Sequence, residues 1–210
     1  MLDFLVTAQQ QLLATSVWEL LAVLLALAYL LLALRENSLC WYCALASTAI
    51  YTVLFWEVSL LMESALNVYY MAMAVYGWYH WHRGAQTDEQ GQPLAISSWA
   101  ARRHIQAWGS IVLLSVVSGY LLAGNTSAAL PYLDSFTTWG SVLTTWMVAR
   151  KILENWLYWV VIDGASIFLY LDRGLDLTSL LFMAYVIIVV FGYFSWRKRL
   201  VRTEDVSLGV

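Results

Sequence analysis

The chain has 210 residues and a net charge of −3, and 61% of its residues are hydrophobic while only 12% are charged. Soluble domains carry about 25% charged residues, so this composition excludes an ordinary water-soluble surface, as does the mean hydropathy of +0.67. The basic residues form no stripe that would track phosphates, which excludes a nucleic-acid partner. The sequence predicts an all-α membrane protein in contact with the lipid bilayer.

Seven apolar runs follow one another along the chain, each near the length of about 20 residues that crosses a bilayer as a helix. Helices are favoured because lipid leaves every backbone donor and acceptor to be paired within its own segment. The runs cover residues 17–34, 38–56, 60–81, 104–123, 132–149, 152–171 and 177–196. The longest connection, residues 83–103, is polar and is predicted to be a loop.

Basic residues are concentrated on one side of these seven spans. Ten of the eleven lysines and arginines lie in the first, third and fifth connections and after the last span, whereas Arg173 alone lies on the other side. Because positively charged loops stay in the cytoplasm, the C-terminus is predicted to be cytoplasmic and the N-terminus periplasmic.

The third and seventh spans resemble each other. Residues 70–81 read YMAMAVYGWYHW and residues 185–196 read YVIIVVFGYFSW, an offset of 115 positions. The same offset aligns Arg35 with Arg150, Trp41 with Trp156, Gly77 with Gly192 and Trp81 with Trp196. One offset that holds across three spans predicts two three-helix repeats of parallel orientation, joined by a single inverting span.

The predicted plan is therefore 3+1+3. It assigns residues 1–83 to the first repeat, 84–131 to a cytoplasmic loop and linker helix, 132–200 to the second repeat and 201–210 to a cytoplasmic tail. Transporters built from such parallel repeats hold their solute between the repeats, near the membrane midplane.

Span six carries a carboxylate at mid-depth. Trp156, Trp159 and Asp163 are spaced i, i+3, i+7 and so share one helix face. An acid in the membrane interior is costly and usually faces a cavity or a partner, so Asp163 is interpreted as a contact for a cationic or amino-bearing solute. A structural carboxylate bonded to Thr144 or Thr145, or held protonated, is the alternative, and a proton-coupling site is a variant.

Span three offers a matching polar face, and deep indole rings beside an acid favour a flat cationic ligand through cation–π attraction. The predicted solute-binding residues are Asp163, Trp159, Trp156, Asn67, Tyr70, Asn155, Glu63 and Trp139.

Other chemistries find little support in the sequence. Cys40 and Cys43 are interpreted as packing residues, and the histidines at 80, 82 and 104 as surface residues, so no metal is expected. A phosphate-binding glycine loop is absent, and no nucleophile–base pair shares a depth. We expect neither a cofactor nor an enzymatic activity.

Three segments resemble the PnuC-like family of bacterial B-vitamin transporters, which comprises nicotinamide riboside transporters and related PnuT-like thiamine transporters. They are residues 75–81 (VYGWYHW), 133–135 (LDS) and 150–163 (RKILENWLYWVVID). The resemblance implies a fold similar to a duplicated SWEET-type unit, a homotrimer in the bacterial inner membrane, and facilitated diffusion of a vitamin that a cytoplasmic kinase then traps.

The resemblance leaves the vitamin open. Nicotinamide riboside members tend to carry Asn where Asp163 stands, Gln where Asn67 stands and Asn where Ala74 stands. An acid in place of an amide suits the cationic thiazolium and aminopyrimidine of thiamine, so thiamine is the expected solute, by a narrow margin. A nicotinamide riboside uptake facilitator is the alternative, and a membrane-embedded ligand sensor is a more distant one.

Overall fold

The structure is a computed structural model that describes residues 16–57, 61–83, 94–125, 130–172 and 176–208. The described residues form seven α-helices: α1 (Val17–Leu34), α2 (Cys40–Glu57), α3 (Leu61–Arg83), α4 (Ala101–Asn125), α5 (Pro131–Ala149), α6 (Asn155–Asp172) and α7 (Asp176–Leu208). Each predicted apolar run corresponds to one helix, and the all-α prediction is confirmed.

Helix α7 is longer than its predicted span. The span was predicted to end at residue 196, but the helix continues to Leu208, through most of the predicted tail. Hydropathy marks the end of the apolar stretch, whereas a helix ends where the backbone is interrupted. Residues 197–208 contain neither proline nor glycine, so the polar continuation remains helical.

Local side chains fix several helix ends. The hydroxyl of Ser16 accepts a hydrogen bond from the amide of Glu19 at 3.1 Å, which caps the first turn of α1. Pro131 occupies the start of α5, where its missing N–H costs nothing. The side chain of Asn37 accepts from the amide of Leu39 at 2.9 Å and so turns the chain into α2.

The turn between α1 and α2 and the turn between α5 and α6 are built alike. Glu36 and Lys151 both adopt positive φ angles, 55° and 51°, which non-glycine residues seldom do. The amide of Glu36 donates to Ala33 O at 2.9 Å, and the amide of Lys151 donates to Val148 O at 3.0 Å. The next amides repeat the pattern, Asn37 to Leu32 O at 2.9 Å and Ile152 to Met147 O at 3.0 Å. Glu36 and Lys151 are 115 residues apart.

Two glycines bring neighbouring helices together at the same offset. A Cβ added to Gly77 in α3 would overlap the indole of Trp41 in α2, and a Cβ added to Gly192 in α7 would overlap the indole of Trp156 in α6. Each indole also meets a second tryptophan edge-on at the same centroid distance of 5.3 Å. Glycine at these two positions therefore permits equivalent close packing.

The helices pack in two groups. Helix α2 packs against α1 and α3, and α6 packs against α5 and α7, while α4 packs against α5. Contacts of α3 with α5 and of α1 with α7 join the groups. We call the end of the bundle where α1, α3 and α5 finish the basic end, because it carries Arg35, Arg150, Lys151, Arg197 and Lys198.

The segment before α4 is attached to the basic end. The amide of Ser97 donates to Lys151 O at 3.0 Å, and the amide of Leu153 donates to Ser97 O at 2.8 Å. The carboxylate of Glu154 accepts from the hydroxyl of Ser98 and the amide of Trp99. Residues 94–100, within the predicted polar loop, therefore have a defined path against the start of α6.

Apolar side chains cover the exterior of the bundle. Ile105, Tyr120 and Phe168 are each more than two-thirds exposed, which is costly in water and favourable in lipid. Among the described residues, three helical segments are long and apolar enough to cross a membrane by length and composition: Val17–Leu34, Ala101–Asn125 and Thr178–Val201. The other helices carry more hydroxyl and aromatic groups, many of which are packed between helices.

Candidate functional site

The carboxylate of Asp163 lies between the helices. Its side chain is only 4% exposed, and it interacts electrostatically with the hydroxyl groups of Tyr70 in α3 and Tyr185 in α7. Electrostatic interactions therefore link polar groups of three helices, from both packing groups, around a buried carboxylate. Among the described residues, no lysine or arginine forms a salt bridge with Asp163.

The two tyrosines are related by the sequence repeat. Tyr185 follows Tyr70 by 115 residues, and both interact electrostatically with Asp163. The sequence prediction included Tyr70 but missed Tyr185. The signal was available, because the repeat alignment begins with this pair. The position equivalent to Asp163 in the first half is Thr48.

Helix α5 contributes hydroxyl groups on the same side. The Tyr70 and Ser141 side chains are hydrogen-bonded to each other. Thr144 donates to Gly140 O at 2.7 Å, and Thr145 donates to Ser141 O at 2.8 Å. A hydroxyl has one proton to donate, so neither threonine donates to Asp163, and the structural alternative built on these two donors loses its basis.

The structure describes some of the predicted solute-binding residues of α3 but not all of them. Asn67 is buried and lies about one turn before Tyr70, which is half-buried. The side chain of Glu63 lies outside the described residues. The contact of either residue with a solute stays a prediction.

The start of α6 holds the predicted aromatic residues. Trp156 is almost fully buried and packs edge-on against Trp196, at 88° between the ring planes. Trp159 is partly buried and packs against two clusters of buried apolar residues, one that contains Trp156 and one that contains Tyr158. The structure thus places Trp159 one turn closer to Asp163, while Trp156 belongs to the aromatic packing at the basic end. Stacking on a ligand stays a prediction for both.

Asn155 has unused hydrogen-bonding capacity. Its side-chain nitrogen donates to Ile152 O at 2.7 Å, within its own turn. Its side-chain oxygen is buried without a hydrogen-bond partner among the described residues, as is the indole nitrogen of Trp156. Buried polar atoms of this kind are uncommon, and a polar ligand or water that reached this turn would satisfy them.

Trp139 is directed towards the linker helix. Its indole nitrogen donates to the hydroxyl of Ser118 in α4 at 3.0 Å. The polar edge of this ring is therefore used between α4 and α5, and a role in holding the solute stays a prediction.

A surface pocket of about 290 Å³ lies between α4 and α6 and is separate from the buried carboxylate. Its wall includes Leu157 and Val161, and Val161 is on the opposite face of α6 from Asp163. The ring nitrogen of His104 is 3.0 Å from the Tyr158 hydroxyl beside this pocket. Among the described residues, no three histidine, cysteine or acidic side chains are grouped as a metal site would require.

The apolar exterior and the acidic centre enclosed between helices define a helical membrane protein with an internal polar site. Comparison with known proteins identifies the family. The family model described as nicotinamide mononucleotide transporter matches residues 16–198. The chain therefore belongs to this family, and it is a membrane transporter rather than an enzyme.

Individual relatives agree with this assignment. The chain is 25% identical to the nicotinamide riboside transporter PnuC of Escherichia coli, over 79% of this chain and 78% of that protein. It is also 25% identical to the riboflavin/roseoflavin transporter RibM of Streptomyces davaonensis, over 61% of each chain. A crystal structure of the vitamin B3 transporter PnuC has a similar fold, with a TM-score of 0.72 and 21% identity over 95% of this chain and 90% of that chain.

Proposed function

We propose that the protein is an uptake facilitator for nicotinamide riboside. The observation that carries the proposal is the buried carboxylate of Asp163, which interacts electrostatically with tyrosines from both helix groups in a chain of a transporter family. The nicotinamide ring of this solute is a flat cation. A cation bound beside Asp163 compensates a charge that is costly to bury without a partner.

The choice of vitamin departs from the expectation based on sequence. None of the relatives reported above is named for thiamine, whereas PnuC proteins are named for nicotinamide riboside and RibM for riboflavin. Nicotinamide riboside therefore replaces thiamine as the proposed solute, on the strength of the named relatives. Its transporters tend to carry Asn where Asp163 stands, so in this chain the carboxylate adds an ion pair with the cationic ring that an amide does not provide. Riboflavin is a weaker candidate because its ring system is uncharged and gains no ion pair with Asp163.

The binding roles follow from position. Asp163 pairs with the cationic ring, and Tyr70 and Asn67 from α3 contact the polar part of the solute. Trp159 stacks on the ring, and Trp156, Asn155, Glu63 and Trp139 complete the proposed set, with Tyr185 added to it. The variant in which Asp163 couples transport to protons remains an outcome of the test below.

The larger arrangement supports a path between two halves. We take α1–α3 and α5–α7 as parallel repeats with α4 as the inverting helix, which is consistent with the duplicated turns and the duplicated tryptophan–glycine contacts. The protein lies in the bacterial inner membrane as a homotrimer, with all seven helices crossing the bilayer, the basic end in the cytoplasm and the N-terminus in the periplasm. A cytoplasmic kinase traps the vitamin.

The test is transport by the purified chain in proteoliposomes. We expect saturable entry of isotope-labelled nicotinamide riboside down its gradient, competed more strongly by the unlabelled compound than by thiamine or riboflavin. Accumulation is expected only when a nicotinamide riboside kinase and ATP are enclosed. Entry no faster than into empty liposomes would refute the proposal, and accumulation without the kinase under a proton gradient would favour the proton-coupled variant.

A further inference from the structure

The basic end contains contacts between residues that are equivalent in the two halves. The carboxylate of Glu36 is 2.8 Å from Nζ of Lys151, and these residues are 115 positions apart. The rings of Trp81 and Trp196 are 6.2 Å apart and have the same offset. In an arrangement with a pseudo-two-fold axis, a residue meets its own equivalent only at the axis. The axis between the halves therefore passes through these two contacts.

Ion pairs also link the two halves at the basic end. Glu36, in the turn after α1, accepts hydrogen bonds from both Lys151 and Arg199 at 2.8 Å. Nζ of Lys151 also lies 4.8 Å from the centroid of the Trp81 ring, a cation–π distance. Each of these contacts runs from one helix group to the other, and none lies within a group.

Tryptophan adds a further link across the axis. The indole nitrogen of Trp196 in α7 donates to Ala33 O in α1 at 3.1 Å, and the hydroxyl of Ser195 donates to Leu34 O at 3.3 Å. The symmetric bond is not made, because the indole nitrogen of Trp81 is buried without a partner among the described residues. The contacts at the axis are therefore asymmetric, because a hydrogen bond holds Trp196 whereas the cation–π contact with Lys151 holds Trp81.

We propose that Glu36, Lys151, Arg199, Trp81 and Trp196 form a closed gate across the solute path, and we call this set the basic-end gate. The inference rests on the proposed function, in which the solute moves along the axis between the halves. Asp163 and the equivalent pair Tyr70 and Tyr185 lie deeper in the bundle, so a solute that leaves them for the basic end passes between the members of each gate pair.

The contacts of the gate are of a kind that separates reversibly. The side chain of Arg199 is 41% exposed and that of Glu36 is 20% exposed, so water competes for both partners when the halves move apart. The contact between the Trp81 and Trp196 rings is tilted, with 52° between their planes, and it adds only a small stabilisation beyond the area it buries. Opening requires that these side chains part and that the bonds from Trp196 to Ala33 O and from Ser195 to Leu34 O break, while the backbone hydrogen bonds within each turn stay in their own half.

A native thiol reports on the state of the gate without any solute. Cys40 is fully buried among the tryptophans of the basic end and interacts electrostatically with Lys151. The chain has two cysteines, so Cys43→Ala leaves a single thiol. We expect Glu36→Gln in this background to raise the rate of alkylation by N-ethylmaleimide about tenfold, the lower limit for loss of a hydrogen bond to a charged group. Lys198→Gln, at the same end but outside the gate, should leave the rate unchanged.

The labelling experiment has a defined failure. Rates within about twofold of the parent for both Glu36→Gln and Arg199→Gln would overturn the gate, because removal of its ionic contacts would not have favoured opening. If Glu36→Gln no longer unfolds cooperatively, the labelling rate of Arg199→Gln alone decides whether the gate exists. Arg199 is the more exposed partner, so its replacement disturbs the fold less.

A cross-link tests whether the pair must separate during transport. Glu36→Cys and Lys151→Cys are combined in a chain with Cys40→Ala and Cys43→Ala, and the two thiols are bridged with a short bis-methanethiosulfonate. We expect the bridged protein to bind nicotinamide riboside but to lose at least about nine-tenths of its flux, with recovery after dithiothreitol. Lys198→Cys treated with the same reagent should keep its flux. Full flux through the bridged protein would overturn the gate.

The two proposals fail separately. If the unmodified chain moves no nicotinamide riboside, the proposed function is wrong, yet the alkylation of Cys40 still decides whether the basic-end contacts open as a unit. If nicotinamide riboside is transported but the bridged protein is fully active, the function stands and the gate does not.

Discussion

The two turns at the basic end share a backbone but differ in the chemistry that follows them. Glu36 and Lys151 occupy matching positions with matching positive φ angles and amide hydrogen bonds. Twelve residues beyond each lie Thr48 and Asp163. The hydroxyl of Thr48 donates to Ala44 O of its own helix at 2.8 Å, whereas Asp163 interacts electrostatically with tyrosines of other helices. The two similar turns position the helices that follow them, but only α6 carries a charged residue, Asp163, at the equivalent position.

This difference separates the residues that close the gate from the residue that recognises the solute. A gate on the axis benefits from equivalent residues in both halves, because each half must contribute to the contact. A solute such as nicotinamide riboside has no two-fold symmetry, so its binding site gains nothing from a second carboxylate. Substitutions at equivalent positions in the two halves test this division directly.

The largest effect is expected at the unequal pair. Asp163→Asn should weaken nicotinamide riboside binding by about ten- to a hundredfold, because a hydrogen bond to a charged group contributes about 1.5–3 kcal/mol. Tryptophan-fluorescence titration of the purified protein measures this affinity. Thr48→Val is the matched control and should leave affinity unchanged. Equal losses at the two positions would show that recognition is shared by both halves.

An equal pair should respond equally. Gly77→Ala and Gly192→Ala each place a Cβ against an indole ring, and overpacking of this kind costs about 1–3 kcal/mol. Unfolding by SDS in mixed micelles, followed by fluorescence, measures the loss. Gly164→Ala, where nothing lies within 4 Å of the added Cβ, is the control. A large loss at one glycine alone would contradict the equivalence of the two contacts.

A smaller effect is expected where only one half makes the contact. The hydroxyl of Tyr69 in α3 donates to Val142 O in α5 at 2.7 Å, and the equivalent position is Ala184, which has no hydroxyl. Tyr69→Phe should lower the free energy of unfolding by about 0.5–1.5 kcal/mol in the same SDS titration. Tyr120→Phe, with its ring 71% exposed, should change it little. Tyr69→Phe as stable as the parent would mean that this bond adds nothing to the joint between the halves.

The smallest effect concerns the charge of Glu36. Burial acts to raise the pKa of this carboxyl, but hydrogen bonds from Lys151 and Arg199 outweigh it and hold the pKa below the usual 4.5. A lowered pKa in the folded state means that the contribution to stability is complete above about pH 4.5 and is lost as the pH falls through the folded pKa. Partly exposed ion pairs contribute about 1 kcal/mol or less.

We therefore expect the parent to lose more thermal stability than Glu36→Gln between about pH 5 and about pH 3, as measured by the unfolding midpoint in detergent. Lys198→Gln should follow the parent. The same loss in the parent and in Glu36→Gln would indicate that the ion pair does not stabilise the folded state.

Much of the fold could be predicted from the sequence because its signals are local. The first predicted span, residues 17–34, coincides with α1 (Val17–Leu34), since an apolar run between Ser16 and Arg35 defines both ends. Gly77 and Gly192 lie in runs that align without a gap, and both glycines lie close to an indole ring. The 3+1+3 arrangement of repeats stays a prediction. The end of α7 could not, because hydropathy does not report where a polar helix stops.

The candidate site was predicted only in part. Asp163 and Asn67 are buried and Tyr70 is half-buried, while the contact of all three with a solute stays a prediction. The direction of Trp139 towards Ser118 depends on where α4 packs, which periodicity within α5 does not determine. Tyr185 lies in the next helix, α7, and its electrostatic interaction with Asp163 depends on how α6 and α7 pack.

By itself, the sequence determined the helices, the concentration of positive charge at one end and the duplicated motifs, because hydropathy, charge and residue spacing are properties of neighbouring residues. Only the tertiary structure decided that Glu36 bonds to Lys151 and Arg199, and that Tyr70 and Tyr185 interact electrostatically with Asp163. Such contacts depend on how helices from different parts of the chain pack, and no local pattern specifies that geometry.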